Sequence, residues 1–467
     1  MKKHLLLTVF AFLLLFSNAQ NGLQGYWIDT LKISTFRARI ILHFYQKDTV
    51  TTLDMYSIDQ TDEVISLKDW YRKNDSIFAK DKKTRLDFSL QYDSVNKKIS
   101  GILKQGASES PLTFSPIDNV PKILRPQTPQ APFPYKIEEV SITNKKANIA
   151  LSGTLTLPEE GEKFTAIVLL AGSGPHDRNE TIFKHKLLWV LADSLTRQGY
   201  AVLRYDKRGI GKSKGSFSKA SLTDLYSDAC AAIEFLRKDK RIDKNSIGVI
   251  GHSEGGAIAP MIAANDKKLA FIVSLAGSVQ RGRELLLAQN QLIAQSEGIG
   301  KDTIAISTRL NAFLYDEVIK NGKTKDFEKK LMTALDNYEL TLSDKEKEIF
   351  SWGSMFKVNI VMQLSSPWMI EFMALSPEKY IAKTKCPVLA IFGEKDLQVP
   401  ARENADLMRK SLQIAKNEKN SRIEIIKGAN HLLQRCNICA IYEYPWIEET
   451  IAPEVLELLF TWINIKQ

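Results

Sequence analysis

The 467-residue sequence predicts an α/β protein, in which a mainly parallel, doubly wound sheet with a helical insertion follows a small antiparallel all-β domain. Three patterns predict this fold class. Residues 20–116 alternate between apolar and polar with period two, short apolar runs alternate with helical patterns from residue 135 onward, and a stretch of helical patterns alone interrupts that alternation. The length alone suggests two or more domains.

The chain begins with the pattern of a secretory signal peptide. Lys2 and Lys3 precede a nearly unbroken apolar run from Leu5 to Phe16, and small residues follow up to Ala19, where we expect cleavage. A membrane span needs about 20 apolar residues, which this run does not reach. Residues 1–19 therefore predict export to the periplasm or the medium, with no stable membrane insertion of the mature chain. An uncleaved membrane anchor is the alternative.

The charge balance argues against a nucleic-acid partner. The whole chain carries +10, and this falls to +8 without residues 1–19, which hold two lysines and no acid. No cluster of five or more like charges stands out. From the charge we infer only a soluble protein. The expected partner, a small-molecule ester or a short peptide, is inferred from the motifs described below, and the sequence does not indicate the oligomeric state.

Residues 20–116 are predicted to form an antiparallel β barrel or sandwich. Apolar side chains recur at every second position in runs such as Leu86 to Tyr92, and turn-forming residues separate these runs. The region shows no group of residues suited to chemistry. It either binds a ligand, glycan or partner, or braces the rest of the chain. Six of the sixteen prolines lie between Pro116 and Pro134, so residues 117–134 are expected to be an extended linker.

The catalytic core is expected at residues 135–277 and 386–467. A hairpin opens it, and the strands predicted after the hairpin are Ala166–Leu170, Ala201–Tyr205, Ile247–Ile250, Ala270–Leu275, Val388–Phe392 and Ile423–Ile426. Residues 278–385 contain helical patterns only and are interpreted as a cap over the site. Trp368 in this cap is a candidate for the substrate pocket or, equally, an anchor in the core of the cap.

The stretch Gly251-His252-Ser253-Glu254-Gly255 fits the G-x-S-x-G pattern of a nucleophile elbow. A buried-strand pattern precedes it and a helix pattern follows it, which is the context that this motif requires. Ser253 is therefore the candidate nucleophile. His252 directly precedes it, too close to act as its base, and is expected to pack the elbow or to border the substrate pocket.

A serine nucleophile needs a histidine base and an acid that orients the base. Five histidines follow the predicted cleavage position, and His431 alone is C-terminal to Ser253. It lies in the loop after the predicted strand Ile423–Ile426, and Asp396 lies in the loop after the strand Val388–Phe392. Glu394 in the same loop is the alternative acid, and Asp396 is preferred because it lies deeper in the loop. Since parallel strands end at one edge of the sheet, these loops should bring Asp396 and His431 to Ser253.

An oxyanion hole requires two backbone N–H groups, which we assign to Glu254 and Ser173. Ser173 lies in a glycine-rich loop after the strand Ala166–Leu170, with Gly174 as the alternate donor. Gly172 and Gly174 are also candidate pocket residues, because glycine allows close approach of the backbone. The charged continuation of this loop, through Glu180, is expected to form ion pairs that frame the site.

These motifs together resemble the α/β-hydrolase family, and within it the bacterial carboxylesterases related to serine-aminopeptidase-like hydrolases. The resemblance covers residues 135–465 and rests on the following stretches: Gly172-Ser173-Gly174-Pro175 with Asp177-Arg178-Asn179-Glu180, Leu203 to Ser213, Gly251 to Gly256, Gly393-Glu394-Lys395-Asp396, and Asn430-His431. It implies an α/β-hydrolase fold and a triad of Ser253, Asp396 and His431. It leaves the substrate open among esters, thioesters and peptides.

The cysteines indicate neither a metal site nor a cofactor. Cys436 and Cys439 have metal or redox spacing, but no second ligand pair accompanies them. In an exported protein they form a local disulfide or remain two free thiols. The sequence thus predicts a serine hydrolase, a carboxylesterase first, without a cofactor. A peptidase, a thioesterase and a non-catalytic binding protein on the same scaffold are the alternatives.

Overall fold

The computed structural model describes residues 22–33, 36–106 and 108–465, so the predicted signal peptide lies outside the described residues. No helix in this part of the chain is long and apolar enough to cross a membrane. The chain divides into two compact units. One holds the residues up to Leu124 together with Ile441–Glu448, and the other holds Arg125–Ala440 and the residues from Glu449 onward.

The first unit is a single nine-stranded antiparallel sheet in the strand order β4-β3-β2-β1-β9-β8-β7-β6-β5. Its strands are β1 (Gly25–Ile33), β2 (Phe36–Lys47), β3 (Val50–Ser57), β4 (Val64–Ser66), β5 (Asp69–Lys73), β6 (Ser76–Asp81), β7 (Leu86–Asp93), β8 (Lys98–Gln105) and β9 (Ser108–Ile117). The antiparallel all-β prediction is confirmed. Since β4 and β5 are edge strands, the sheet is an open half-barrel rather than a closed barrel or a two-sheet sandwich.

Alternate residues of this sheet enclose one apolar core. In β7, for example, Leu86, Phe88, Leu90 and Tyr92 are buried while the residues between them are not. A short 3₁₀ helix from the far end of the chain, Ile441–Trp446, belongs to the same unit. The guanidinium of Arg37 in β2 lies 4.2 Å from the ring centre of Tyr442 in this helix.

The second unit contains an eight-stranded sheet in the order β10-β11-β15-β12-β16-β17-β18-β19 and a separate two-stranded pair, β13-β14. The strands are β10 (Tyr135–Asn144), β11 (Ile149–Pro158), β12 (Phe164–Leu170), β13 (Thr181–Ile182), β14 (His185–Lys186), β15 (Ala201–Tyr205), β16 (Ile242–His252), β17 (Phe271–Leu275), β18 (Val388–Gly393) and β19 (Arg422–Ile426). The hairpin β10-β11 is antiparallel. The six strands that follow in the sheet, β15, β12, β16, β17, β18 and β19, run parallel to one another. The expected α/β-hydrolase fold is confirmed.

Twelve α-helices of the second unit lie within the described residues. They are α1 (Leu187–Arg197), α2 (Leu222–Lys238), α3 (Glu254–Asn265), α4 (Gly282–Ser296), α5 (Lys301–Asn321), α6 (Phe327–Glu339), α7 (Asp344–Phe350), α8 (Ser354–Leu364), α9 (Pro367–Ala374), α10 (Pro377–Ile381), α11 (Ala401–Ala415) and α12 (Pro453–Ile465). The seven helices α4 to α10 lie between β17 and β18, and α5, α6, α8 and α9 share an apolar core of their own.

Helices cover both faces of the sheet, as a doubly wound fold requires. Val168 and Leu170 of β12 face the core shared with α2, α3 and α11, whereas Ile167 and Leu169 face the core shared with α1 and α12. Because successive strand residues point to opposite faces, one continuously apolar strand supplies both cores. The parallel strands therefore end together at one edge, where the candidate residues lie.

Candidate active site

Ser253 lies on a strained turn between β16 and α3. Its φ of 51° and ψ of −112° are rare for a residue with a side chain. The turn is possible because glycines surround it: a Cβ at Gly251 would lie 2.1 Å from the carbonyl oxygen of Gly255, and one at Gly255 would lie 2.4 Å from that of Leu170. The Ser253 N–H donates to the Leu275 carbonyl of the neighbouring strand at 2.8 Å. The sequence therefore exposes Ser253 at the edge of the sheet.

The structure brings Ser253, His431 and Asp396 into one hydrogen-bonded chain. Nδ1 of His431 lies 2.8 Å from Oδ2 of Asp396, and Nε2 lies 3.0 Å from Oγ of Ser253. Because the carboxylate can only accept, Nδ1 carries the proton and Nε2 is free to accept the serine hydroxyl. This arrangement matches that of a nucleophile, a base and an orienting acid.

Asp396 is fixed by more than His431. Its other oxygen, Oδ1, accepts the backbone N–H groups of Gln398 and Val399 at 2.7 and 2.9 Å. The loops after β18 and β19 also approach closely at Gly393, where a Cβ would lie 2.3 Å from the Asn430 carbonyl oxygen. Both loops are therefore held together without any contribution from a substrate.

His252 and Glu180 form a buried ion pair directly behind this chain. Nδ1 of His252 lies 2.8 Å from Oε1 of Glu180, and Nε2 lies 3.0 Å from the carbonyl oxygen of His431. Both acceptors are oxygens without a proton to donate, so both ring nitrogens must carry protons and the ring is an imidazolium. Burial opposes this charge, but the Glu180 carboxylate outweighs it and raises the pKa of His252.

This pair corrects two expectations about pocket residues. His252 is 2% exposed with both nitrogens bonded, so it lies behind the site and does not border a pocket. Gly172 donates its N–H to Oε1 of Glu180 at 2.7 Å, and a Cβ there would lie 2.7 Å from that oxygen and 3.2 Å from Cβ of Ser253. Glycine at position 172 therefore allows the ion pair and Ser253 to lie side by side.

A second buried ion pair lies on the opposite side of Gly172. Nζ of Lys207 donates to the carbonyl oxygen of Gly172 and, at 2.7 Å, to Oε1 of Glu254. The lysine and glutamate side chains are 8% and 2% exposed. The indole Nε1 of Trp368 in α9 donates to the other oxygen, Oε2 of Glu254, and its ring stacks on Phe372 at 4.7 Å. Trp368 thus links the helical insertion to the residue that follows Ser253.

The two predicted oxyanion donors are the backbone N–H groups of Glu254 and Ser173, and neither has a hydrogen-bond acceptor among the described residues. Glu254 begins α3, where an N–H has no partner within the helix. The Ser173 carbonyl, in contrast, faces Nε2 of His176 at 2.7 Å. The Ser173 and Glu254 amides are therefore free to bind a substrate oxygen.

Two cavities adjoin the site, and Trp368 and Ser173 border both. The one that contains Ser253 measures about 60 Å³ and is lined by polar and apolar side chains in equal number, with Leu285 and Phe372 among the apolar ones. The other measures about 390 Å³, is more open, and is bordered by Gly174. The structure therefore places Trp368 and Gly174 at the cavities, while Gly172 and His252 lie behind them.

The charged loop after Gly174 forms ion pairs, as expected. Arg178 donates to Asp206 at 2.8 Å and to Glu139 at 2.7 Å, which ties the loop to the adjacent strands. Cys436 and Cys439 are joined by a disulfide bond, one of the two states left open by the sequence.

Sequence reasoning predicted ion pairs for the loop through Glu180, but not that the partner of Glu180 is His252, and it missed the role of Lys207 altogether. Lys207 nonetheless follows the apolar run Ala201–Tyr205 by two residues, so it leaves the sheet at the same edge as Ser253. A charged side chain directly after a buried parallel strand was thus the available signal.

Comparisons with known proteins identify one matching family and several similar proteins. Residues 122–413 match the family described as X-Pro dipeptidyl-peptidase (S15 family). Esterase EstD of Thermotoga maritima is 25% identical over 300 residues, which are 64% of this chain. The match covers 61% of EstD, which is less than two thirds of its length. An uncharacterised 31.7 kDa protein of Escherichia coli is 24% identical over 67% of this chain and 96% of its own length. Among solved structures, an esterase of Pyrococcus furiosus, Pf2001, aligns with a TM-score of 0.42 and 16% identity over 74% of this chain and 99% of its own.

Proposed function

The chain belongs to the family described as X-Pro dipeptidyl-peptidase (S15 family), and from this membership and the site geometry we propose that it is a serine hydrolase that cleaves carboxylic esters. The observation that carries the proposal is the hydrogen-bonded chain of Ser253, His431 and Asp396 on a strained elbow. The esterase name of a relative that is 25% identical over 300 residues supports an ester over other acyl substrates.

In the proposed reaction Ser253 Oγ attacks the ester carbonyl carbon while its proton passes to Nε2 of His431. Asp396 stabilises the resulting imidazolium, and the N–H groups of Glu254 and Ser173 bind the oxyanion. The bond to the alcohol oxygen then breaks, and the alcohol leaves with the proton from His431. Water then attacks the acyl carbonyl carbon while His431 takes a proton from it. The bond between that carbon and Ser253 Oγ breaks, His431 returns the proton to Oγ, and the carboxylic acid departs.

The test is hydrolysis of p-nitrophenyl acetate and p-nitrophenyl octanoate by the purified protein, with Ser253→Ala as the control. Serine-dependent release of p-nitrophenol is expected, and Ser253→Ala should lower kcat by about 10⁴-fold or more, because only oxyanion binding remains. Equal rates for the two proteins would contradict the proposal.

Peptide cleavage is the second candidate, because the matching family is described as a dipeptidyl-peptidase. An Ala-Pro p-nitroanilide and an aminoacyl p-nitroanilide distinguish it from the esterase. Cleavage of either at a higher kcat/KM than the esters would assign a peptidase. We further propose that the protein acts after export, with residues 1–19 removed, which mass spectrometry of the N-terminus in cell fractions tests.

A further inference from the structure

Lys207 is a buried cation beside the site for which the proposed mechanism has no step. Its side chain is 8% exposed, and its ammonium contacts the Gly172 carbonyl oxygen and the Glu254 carboxylate. An ammonium removed from water is costly unless it is paired and hydrogen-bonded. The Glu254 carboxylate meets this need for a charge partner, but charge balance alone does not explain the second contact, to the Gly172 carbonyl oxygen.

The Gly172 carbonyl belongs to the same peptide unit as the Ser173 N–H. A trans peptide is planar, and its C=O and N–H groups point in opposite directions. With the oxygen held by Lys207, the N–H points away from the lysine. Ser173 borders the cavity that contains Ser253, and its N–H has no acceptor in the described part of the chain.

We propose that Lys207 is a positioning residue, which holds the Gly172–Ser173 peptide so that the Ser173 N–H faces the oxyanion. A cation on the carbonyl oxygen also draws electrons from the peptide nitrogen, which makes the N–H a stronger donor. The inference rests on the proposed acyl-transfer function, since it names what builds the second half of the oxyanion hole.

The rest of the network keeps Lys207 in place. Oε1 of Glu254 binds the ammonium, and Trp368 donates to Oε2 of the same carboxylate. The backbone N–H of Glu254 is the first oxyanion donor. Glu254 therefore supplies one oxyanion donor through its backbone N–H. Through its side chain, which holds Lys207, it also orients the second donor, the Ser173 N–H.

The experiment compares Lys207→Met with the double variant Lys207→Met/Glu254→Gln on p-nitrophenyl acetate. The single variant leaves the Glu254 carboxylate buried and unpaired, so its folding is in question. The double variant removes both charges and keeps the Glu254 backbone N–H. We expect kcat of the double variant to fall about 10²–10³-fold, as for loss of one oxyanion donor, with KM within about twofold of wild type.

Two measurements separate positioning from a structural role. Inhibition by phenylboronic acid, whose serine adduct is tetrahedral, should weaken in parallel with kcat, whereas loss of folded protein alone would lower the rate without changing the inhibition constant. Lys212→Met, the same substitution at an exposed site five residues along, should leave kcat and KM unchanged.

Several results would overturn the inference. A double variant with kcat within about threefold of wild type would show that Lys207 only compensates Glu254. Should both variants fail to fold, a structure of the wild-type boronate adduct decides. The boronate oxygen should lie about 2.7–3.1 Å from the Ser173 nitrogen, and a longer distance refutes the inference. If wild type and Ser253→Ala hydrolyse the ester equally, the proposed function itself fails, and this inference with it.

Discussion

Replacing Glu180 with glutamine should destabilise the second unit by about 3–5 kcal/mol, the usual cost of removing one partner of a buried ion pair. Glu180 is 0% exposed and His252 is 2% exposed, so water cannot solvate the charge that is left. In the variant the His252 imidazolium would face a neutral amide, or the ring would lose its proton and one of its two hydrogen bonds. Glu180 also accepts the N–H of Gly172, so the variant should lower kcat as well.

The loss of stability in Glu180→Gln should depend on pH, and the pKa shifts of His252 and Glu180 set the direction of that dependence. The pKa of His252 is raised above 6.5, so the contribution of the pair is complete below pH 6.5 and is lost as pH rises through the raised value. Burial favours the neutral form of Glu180, but His252 outweighs it and lowers the pKa of Glu180 below 4.5. That contribution is present above pH 4.5 and is lost as pH falls through the lowered value. The destabilisation should therefore be greatest between pH 4.5 and 6.5.

Thermal unfolding followed by fluorescence or calorimetry across pH 4–9 measures this effect. At about 2 °C per kcal/mol for a large domain, Tm should fall by roughly 6–10 °C near pH 5.5 and by less at pH 9. Glu139→Gln is the matched control, because its carboxylate pairs with Arg178 at a 62% exposed position and should cost under about 1 kcal/mol. Two results would refute a buried imidazolium at His252. One is a Tm decrease for Glu180→Gln no larger than that for Glu139→Gln, and the other is a Tm decrease that does not change with pH.

Three further changes test the site and its scaffold. Asp396→Asn should leave Tm nearly unchanged but lower kcat about 10⁴-fold, because an amide N–H can favour the wrong tautomer of His431; near-normal steady-state rates would contradict this. Gly251→Ala should yield insoluble protein, because its Cβ would lie 2.1 Å from the Gly255 carbonyl oxygen, and soluble wild-type-like expression would argue against the elbow geometry. Burial raises the pKa of the Cys386 thiol to about 12, so iodoacetamide at pH 8 should label it only after unfolding, as mass spectrometry would show.

The sheet and the chain of Ser253, His431 and Asp396 could be predicted because their signals are local. Each candidate lies within five residues of the end of an apolar run, and parallel strands bring such residues to one edge of the sheet whatever the details of packing. The G-x-S-x-G spacing also reports a steric need, since Gly251 and Gly255 touch neighbouring backbone. The predicted fold and the G-x-S-x-G motif therefore both indicate a tight turn at Ser253 at the end of a strand.

The contacts behind the site could not be predicted in this way. His252 was expected to pack the elbow, yet it pairs with Glu180, 72 residues away, and Lys207 meets Gly172 across 35 residues. Such contacts depend on where side chains point after the loops have packed. The sequence alone does not show this direction, so a charged residue in a polar loop is predicted to be exposed to solvent. The sequence left two interpretations of Trp368, a pocket residue or an anchor in the core of the cap, for the same reason. Only the packed helical insertion shows that its indole N–H donates to the Glu254 carboxylate.

The helix Ile441–Trp446 has a consequence for the order in which the protein can be completed. Residues 441–448 belong to the same compact unit as the half-barrel, and Tyr442 packs against Arg37. During synthesis the half-barrel strands leave the ribosome first, but this unit lacks its last segment until more than 300 further residues have been translated. The half-barrel unit is thus completed only after Ser253 has been made, and a nascent chain that stalls before residue 441 carries an unfinished half-barrel whatever the state of the candidate site.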